Sequence, residues 1–253
     1  MYTDTHAHLY YDDLIDQLDF VIKRAETASV KRIICVGTDL SSSRTSISIA
    51  ERYDCVFATA GVHPHDAKDA PADYLTQVKE LLSHEKVVAV GEMGLDFFRN
   101  LSFPDRQREV FRSQLELANE LGVPAVIHNR DADEDLLKII DEVSPKKAVL
   151  HCFSSDVPTA ERALNAGCLL SFTGNVTFGK NSTEAVLKVT PVDRIMLETD
   201  CPFMTPVPNR GKVNEPSNIP YISKRIAEIK NMEPMEIARI TSETAQVFFG
   251  LPA

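Results

Sequence analysis

The sequence predicts an α/β fold, a single (β/α)8 TIM barrel with an extra helix at its carboxyl end. Three observations predict it. The length of 253 residues is close to the roughly 250 residues that are typical of such barrels. Short apolar runs alternate with longer amphipathic segments along the whole chain. The apolar residues are mainly aliphatic and Trp is absent, which suits parallel strands that are buried on both faces. We therefore expect one domain, residues 1–253.

The predicted strands are the short apolar runs. In chain order they are Tyr2–His8, Arg32–Gly37, Cys55–Val62, Val87–Glu92, Ala125–His128, Ala148–Cys152, Cys168–Phe172 and Arg194–Asp200. Because a longer segment follows each run, the chain consists of successive βαβ units, whose strands pair in parallel. Eight consecutive units close most simply into a barrel.

The predicted helices are the segments whose apolar residues recur at helical spacing. The clearest are Asp13–Thr27, Asp105–Leu121, Asp133–Val143 and Thr159–Ala166, and the tail Ile219–Phe249 is expected to hold the eighth helix and one more. Pro104 marks the beginning of the helix after the fourth strand, and Gly122 followed by Pro124 marks its end. Gly167 ends the helix after the sixth strand.

The composition limits the classes of function. The formal net charge is −10, so a broad basic surface for nucleic acid is not expected, although a local phosphate site is compatible with this charge. The five cysteines are widely separated and form no C-x-x-C pair, which argues against a disulfide framework and a zinc knuckle. The chain begins without a secretory leader, and no apolar run approaches the roughly 20 residues of a membrane span. We expect a cytoplasmic monomer without membrane contacts.

Six of the seven histidines lie at or just beyond the ends of predicted strands. His6 and His8 are two residues apart in the first strand, so their side chains share one face. The ends of later strands carry His63, His65, Glu92, His128, His151 and Asp200. Because the carboxyl ends of barrel strands meet at the active face, these side chains are expected to converge.

The converging side chains predict a metal centre. Its expected ligands are His6, His8, Glu92, His128, His151 and Asp200. Imidazoles and carboxylates suit zinc, manganese or iron better than calcium, and we expect two divalent ions, Mg, Mn or Zn. Glu92 is the candidate bridge. His6, His8 and Asp200 would complete one ion, and His128 and His151 the other.

A pair of such ions implies hydrolysis. Two ions about 3.5–4 Å apart can clamp the attacking and leaving oxygens of a displacement, and a water of lowered pKa would be the nucleophile. Asp200 could orient that water and accept its proton. Glu92, Asp200 and His63 are therefore the candidate catalytic residues.

Seven sequence blocks, in order and over nearly the whole chain, resemble the TatD family of metal-dependent deoxyribonucleases, within the amidohydrolase superfamily. The blocks are Thr-Asp-Thr-His-Ala-His-Leu at 3–9, Gly-Val-His-Pro-His at 61–65, Gly-Glu-Met-Gly-Leu-Asp at 91–96, Ile-His-Asn-Arg-Asp-Ala at 127–132, His-Cys-Phe-Ser at 151–154, Glu-Thr-Asp at 198–200 and Arg-Gly-Lys-Val-Asn-Glu-Pro at 210–216. The resemblance implies the barrel, a two-metal centre and a deoxyribonuclease that acts from an accessible end of DNA. It also implies that the six expected ligands occupy the family's metal positions.

The chain departs from the usual family pattern on the substrate side. Ser155 stands where many members have Gly, Phe97 and Phe98 stand where Tyr is frequent, and Asn129 stands where Ser is usual. None of these four is an expected metal ligand. They leave the substrate side of the cleft less defined than the metal side.

Four residues are candidates for substrate binding. His63 is expected to contact the scissile phosphate or to donate a proton to the leaving oxygen; the alternative is a hydrogen bond to a metal ligand. Arg130, just past the fifth strand, could pair with phosphate or anchor Asp131 or Asp96. Arg210 and Lys212 lie in the proline-rich segment Cys201–Asn218, and such long loops are often functional. They are candidates to grip the nucleic-acid backbone, and the alternative is a solvated basic loop.

A second function stays open from the sequence, an amidohydrolase-type enzyme that cleaves a small phosphoester, amide or lactone. Many sites of that type bridge their metals with a carboxylated Lys. No Lys ends the fourth or fifth predicted strand, and Glu92 ends the fourth. This difference favours the nuclease. A metal-storage module, a third alternative, would not explain ligands from so many strands.

Overall fold

Eight parallel strands form one sheet whose order in space follows their order in the chain. The computed structural model describes residues 1–179 and 182–252, so the predicted domain range 1–253 includes three residues outside the described part. The strands are β1 (Tyr2–Ala7), β2 (Val30–Val36), β3 (Val56–Ala60), β4 (Val87–Asp96), β5 (Ala125–Arg130), β6 (Ala148–Leu150), β7 (Leu169–Phe172) and β8 (Ile195–Leu197).

The sheet closes where the chain beyond β8 meets β1. Ala7 forms a parallel bridge with Cys201, the backbone N–H of His8 donates to the carbonyl of Cys201 (2.9 Å), and that of Asp200 donates to the carbonyl of His6 (2.8 Å). The predicted (β/α)8 barrel is thereby confirmed.

Helices lie between the strands and after the last one. They are α1 (Asp12–Ile15), α2 (Leu18–Thr27), α3 (Leu40–Arg52), α4 (Tyr74–Leu81), α5 (Pro104–Leu121), α6 (Asp133–Val143), α7 (Val157–Asn165), α8 (Ser182–Val189), α9 (Ile219–Lys230) and α10 (Pro234–Phe249). Short 3-10 helices span Pro64–Asp69, Gly174–Thr177, Val192–Arg194 and Pro216–Asn218. The predicted pair of helices in the tail is confirmed.

The predicted first helix, Asp13–Thr27, is two helices. The side-chain amide of Gln17 donates to the carbonyl of Asp13 (3.1 Å). In a continuous helix, that carbonyl would accept instead from the backbone N–H of Gln17. That N–H bonds instead to the carbonyl of Leu14 (3.1 Å). The side chain thus takes the acceptor that would have continued α1 into α2.

The predicted end of the fourth strand at Glu92 is wrong, because β4 continues to Asp96. Its pairing with β5 shifts register between Val90 and Met93. Gly94 lies at φ +141°, and a Cβ there would lie 1.9 Å from the carbonyl oxygen of His128. Only glycine permits this close approach, which keeps the second half of β4 paired beside β5.

The eighth strand is shorter than predicted. It ends at Leu197, and Asp200 lies beyond it in a left-handed conformation with φ +53°. The hydrogen bond from the N–H of Asp200 to His6 still holds this carboxylate at the rim of the barrel. Asp200 therefore belongs to the active face through the closure of the sheet.

An apolar layer fills the barrel beneath the rim. Val126 and Val149 lie two residues before His128 and His151, so they share the inward face of their strands. They belong to a buried cluster that also contains Phe249 of α10. The end of α10 thus packs against the base of the barrel, opposite the histidines. Among the described residues, no helix is both long and apolar enough to cross a membrane.

Candidate metal centre

The predicted site residues converge at the carboxyl ends of the strands. A cavity of about 270 Å³ opens there, and we call it the central cavity. It is lined by His8, Tyr11, Thr38, His63, His65, Asp66, Glu92, His128, His151, Asp200 and Phe203. His6 lies directly beneath it and is fully buried. Every expected metal ligand therefore lies in or against one cavity.

Glu92 lies in the middle of these side chains, and one of its carboxylate oxygens, Oε2, faces the ends of β1 and β8. Oε2 is 3.4 Å from Nε2 of His6 and 3.8 Å from Nε2 of His8. The Nε2 atom of His8 is also 3.4 Å from Oδ1 of Asp200. These four side chains form a first group of ligand atoms.

The second oxygen of Glu92 faces the opposite side of the cavity. Oε1 is 2.8 Å from Nε2 of His151, 3.0 Å from Nδ1 of His128 and 3.4 Å from Nε2 of His63. One carboxylate therefore stands between two groups of imidazoles and presents a different oxygen to each. That is the geometry expected of a carboxylate shared by two metal sites.

The donor atoms fit divalent cations. Nε2 of His6 and Nε2 of His8 are 3.2 Å apart, and so are Nδ1 of His128 and Nε2 of His151. In each of three groups of residues, the ligand atoms lie within 4.8 Å of one another. The groups are His6, His151 and Asp200; His6, His8 and Glu92; and His63, Glu92 and His128. Such dense packing of nitrogen and carboxylate oxygen suits first-row transition metals.

The opposite ring nitrogens add a second indication of metal ligands. Ligating histidines usually donate their other N–H to a carbonyl or a carboxylate. Nδ1 of His8 lies 3.0 Å from the carbonyl of Val36, and Nε2 of His128 lies 3.2 Å from Oδ2 of Asp96. These partners turn one nitrogen of each ring toward Glu92. Nδ1 of His6, in contrast, is buried without a hydrogen-bond partner among the described residues.

Electrostatics keeps both carboxylates of the site ionised. Burial alone would raise the pKa of Glu92, but the imidazoles of His151 and His63 hold it well below its usual value. Burial also opposes ionisation of Asp200, yet the hydrogen bond from His8 lowers its pKa. For His151 burial would lower the pKa, and Glu92 raises it well above the usual value. The ionised carboxylates and the imidazole nitrogens are ligands that a divalent cation would bind in place of the protons.

The ring of His63 is neutral, as its burial and its hydrogen bonding show. Burial lowers its pKa to about 4, so the ring is neutral at neutral pH. The backbone N–H of His65 donates to Nδ1 of His63 (3.1 Å), which leaves the proton of the neutral ring on Nε2. Nε2 therefore points toward Glu92 and the cavity as a hydrogen-bond donor.

Asp96 is a site residue that the sequence suggested only as a possible partner of Arg130. It is buried, and its Oδ2 contacts Nε2 of His65 (2.9 Å) and Nε2 of His128 (3.2 Å). The hydrogen bonds of the Gln107 side chain to the backbone N–H and carbonyl of Asp96 hold it in place. Its position in the block at 91–96 was the available signal, but the predicted end of the strand at Glu92 placed it outside the barrel wall.

The predicted basic residues do not line the central cavity. Arg130 is exposed, with Cζ 3.9 Å from the ring centroid of Phe98, and Arg210 is exposed, with Cζ 3.7 Å from the ring centroid of Phe178. Lys212 lines a second cavity of about 560 Å³. Among the described residues, no Lys or Arg lines the central cavity. A bound anion there would need its positive charge from metal ions or imidazolium groups.

Comparison with known proteins reveals relatives over nearly the full length. Residues 3–250 match the family model described as TatD related DNase. A Bacillus subtilis relative named "Uncharacterized metal-dependent hydrolase YabD" is 45% identical over 99% of this chain and 100% of its own. A Cronobacter sakazakii relative named "3'-5' ssDNA/RNA exonuclease TatD" is 37% identical over 91% of both chains.

Solved structures show the same fold. The crystal structure of YJJV, a TatD homolog from Escherichia coli, matches with a TM-score of 0.94 and 28% identity, covering 99% of this chain and 98% of its own. A TatD family hydrolase from Entamoeba histolytica matches with a TM-score of 0.90 and 25% identity, with the same coverage.

Proposed function

This chain belongs to the TatD family of metal-dependent hydrolases, and we propose that it is a deoxyribonuclease that hydrolyses DNA phosphodiester bonds from an accessible end with two divalent ions. The position of Glu92 carries the proposal. Its two oxygens face two separate groups of histidines, an arrangement that suits a hydrolase with two neighbouring ions.

The proposed ligands divide between the two sides of Glu92. His6, His8 and Asp200 lie beside Oε2, and His128 and His151 lie beside Oε1. Divalent ions, when bound, supply Lewis acidity that makes water acidic near neutral pH and neutralises a phosphoryl group. Mg, Mn and Zn are the candidates.

Asp200 and His63 act on the reactants in this proposal. Asp200 is ionised, and its side chain is partly open to the cavity, so it can orient a water molecule and accept its proton. His63 carries its proton on Nε2, so it can donate a hydrogen bond to a phosphate oxygen. The water approaches from the side of Asp200, and His63 holds the phosphate on the other side of Glu92.

Substrate binding outside the cavity is assigned to Arg130, Arg210 and Lys212. Arg130 and Arg210 are exposed guanidinium groups that lie on aromatic rings, an arrangement that leaves their N–H donors available for phosphate. Lys212 belongs to the same loop as Arg210. These three residues would contact the phosphates of the DNA strand outside the cavity. The monomeric state and the cytoplasmic location stay predictions.

The test is metal-dependent cleavage by the purified protein. Labelled single-stranded and double-stranded DNA are incubated with Mg²⁺, with Mn²⁺ and with a chelator, in parallel with the Glu92→Ala/Asp200→Ala variant. We expect cleavage only with metal and only by the wild-type protein. Absence of metal-dependent cleavage, or equal cleavage by the double variant, contradicts the proposal. A panel of small phosphodiesters, amides and lactones tests the alternative hydrolase in the same experiment.

A further inference from the structure

Two half-exposed aromatic rings pack edge to face at the mouth of the central cavity. Tyr11 is 39% exposed and Phe203 is 49% exposed, and their ring centroids are 5.5 Å apart at an interplanar angle of 80°. Single exposed aromatic residues elsewhere, such as Phe20 on α2, are ordinary on a protein surface. Tyr11 and Phe203 differ because they contact each other and line the same cavity as Glu92 and Asp200.

Backbone hydrogen bonds at Phe203 and a ring contact at Tyr11 hold the two rings in place. The backbone N–H of Phe203 donates to the carbonyl of Asp200 (2.9 Å), and Nδ2 of the fully buried Asn214 donates to the carbonyl of Phe203 (2.6 Å). The ring of Tyr11 stacks on that of Tyr10, with centroids 5.2 Å apart and an interplanar angle of 26°. The exposed aromatic surface is therefore pre-organised and fixed relative to Asp200.

We propose that Tyr11 and Phe203 form a stacking site for the unpaired nucleobase next to the phosphate that is cleaved. This inference rests on the proposed nuclease function. Base stacking on aromatic rings binds any base, because every base has a π-face. A base in a duplex is stacked and paired already, so only a frayed or single-stranded end could occupy the site.

The surroundings of the two rings favour a base over other occupants. Among the described residues, no Lys or Arg lines the cavity, so the two aromatic rings would add to the contacts that His63 makes with the phosphate. The volume of about 270 Å³ is slightly below the roughly 300–1,000 Å³ of typical small-molecule sites. A cavity of this size is too small for two paired strands.

The test combines a change in the protein with a change in the substrate. One single-stranded oligonucleotide has intact ends and a second has abasic residues at both ends. Both are cleaved by the wild type, Tyr11→Ala, Phe203→Ala and the matched control Phe20→Ala, whose ring is 66% exposed on α2. With intact ends, we expect kcat/KM to fall about tenfold in Tyr11→Ala and Phe203→Ala, a loss within the range for one stacked base. With abasic ends, the wild type should already be slow and these variants no slower.

A second readout does not depend on cleavage. An oligonucleotide with terminal 2-aminopurine is titrated with protein in the presence of a chelator. Stacking quenches its fluorescence, and we expect Phe203→Trp to keep the quench and Phe203→Leu to lose it. Equal losses on both oligonucleotides, or a quench that is independent of Tyr11 and Phe203, overturn the stacking site while leaving the nuclease intact. If the wild type cleaves neither oligonucleotide, the nuclease proposal fails, and the fluorescence still decides on stacking.

Discussion

Oδ2 of Asp96 lies 3.2 Å from Nε2 of His128, while the other nitrogen of that ring, Nδ1, lies 3.0 Å from Oε1 of Glu92. The buried carboxylate of Asp96 thus determines which ring nitrogen of His128 points toward the candidate metal centre. His65 contacts the same oxygen. Asp96 is therefore a positioning residue for one side of the site.

Replacement of Asp96 should weaken metal binding. We expect Asp96→Ala to lower the affinity for Mn²⁺ by about 10- to 100-fold, as is usual for partners of ligating histidines. Asp96→Asn, whose single acceptor oxygen can serve one of the two histidines, should lie between Asp96→Ala and the wild type. Isothermal titration calorimetry measures the affinities, with Asp54→Asn, an exposed carboxylate before β3, as the control. An unchanged affinity in Asp96→Ala would refute this positioning role.

Replacement of Glu92 should affect both metal sites together. Because separate oxygens of Glu92 face the two groups of histidines, Glu92→Gln removes the one negative charge that both sites share. We expect the wild type to bind two Mn²⁺ ions per chain and Glu92→Gln to bind both more weakly. Elemental analysis after buffer exchange gives the stoichiometry. A variant that loses one ion and binds the other normally would contradict a shared carboxylate.

Gly94→Ala should destabilise the protein far more than Gly122→Ala, although both glycines have a positive φ. A Cβ at Gly94 would lie 1.9 Å from the carbonyl oxygen of His128, whereas one at Gly122, with φ +69°, meets no atom of the described residues within 4 Å. We expect Gly122→Ala to cost about 1–2 kcal/mol from backbone strain, and Gly94→Ala to cost at least about 2 kcal/mol more, because overpacking adds to strain. Chemical denaturation measures both. Similar free energies of unfolding for the two variants would show that β4 relaxes away from β5.

The stability of the metal-free protein should depend on pH through Asp4. Asp4 is fully buried beside Thr199, whose backbone N–H and hydroxyl donate to it, and burial raises its pKa from 3.8 to about 7. A carboxyl group with a raised folded pKa stabilises the fold below the unfolded pKa, and this contribution is lost as pH rises toward the folded pKa.

Asp4→Asn isolates that effect. Between about pH 4 and pH 7, we expect the free energy of unfolding of the wild type to fall relative to the variant by a few kcal/mol, since one pKa unit corresponds to about 1.4 kcal/mol. Above that range the difference should stay constant. Chemical denaturation at a series of pH values, with a chelator present, measures it. A difference that does not change with pH would exclude a titrating Asp4.

The sequence alone was sufficient for the barrel and for the set of side chains that converge at its rim. Alternation of apolar runs with amphipathic segments is a local property, and a barrel places the end of every strand on one face. His6 and His8 could be assigned to that face by their spacing, and His128, His151 and Asp200 by their positions at strand ends. The end of β8 was predicted at the wrong residue, but the prediction that Asp200 lies on the active face is still correct. The hydrogen bond between Asp200 and His6 holds Asp200 at the rim of the barrel although β8 ends earlier.

Only the tertiary structure decided how those side chains meet. The register shift in β4 brings Asp96 behind His128, and no sequence periodicity marks such a shift. Tyr11 and Phe203 lie far apart in the chain and become neighbours because the sheet closes between β1 and the segment after β8. The oxygen of Glu92 that each histidine faces likewise depends on packing between strands. Strand periodicity assigns a residue to a face, whereas these contacts depend on distances between elements that the chain connects only through its fold.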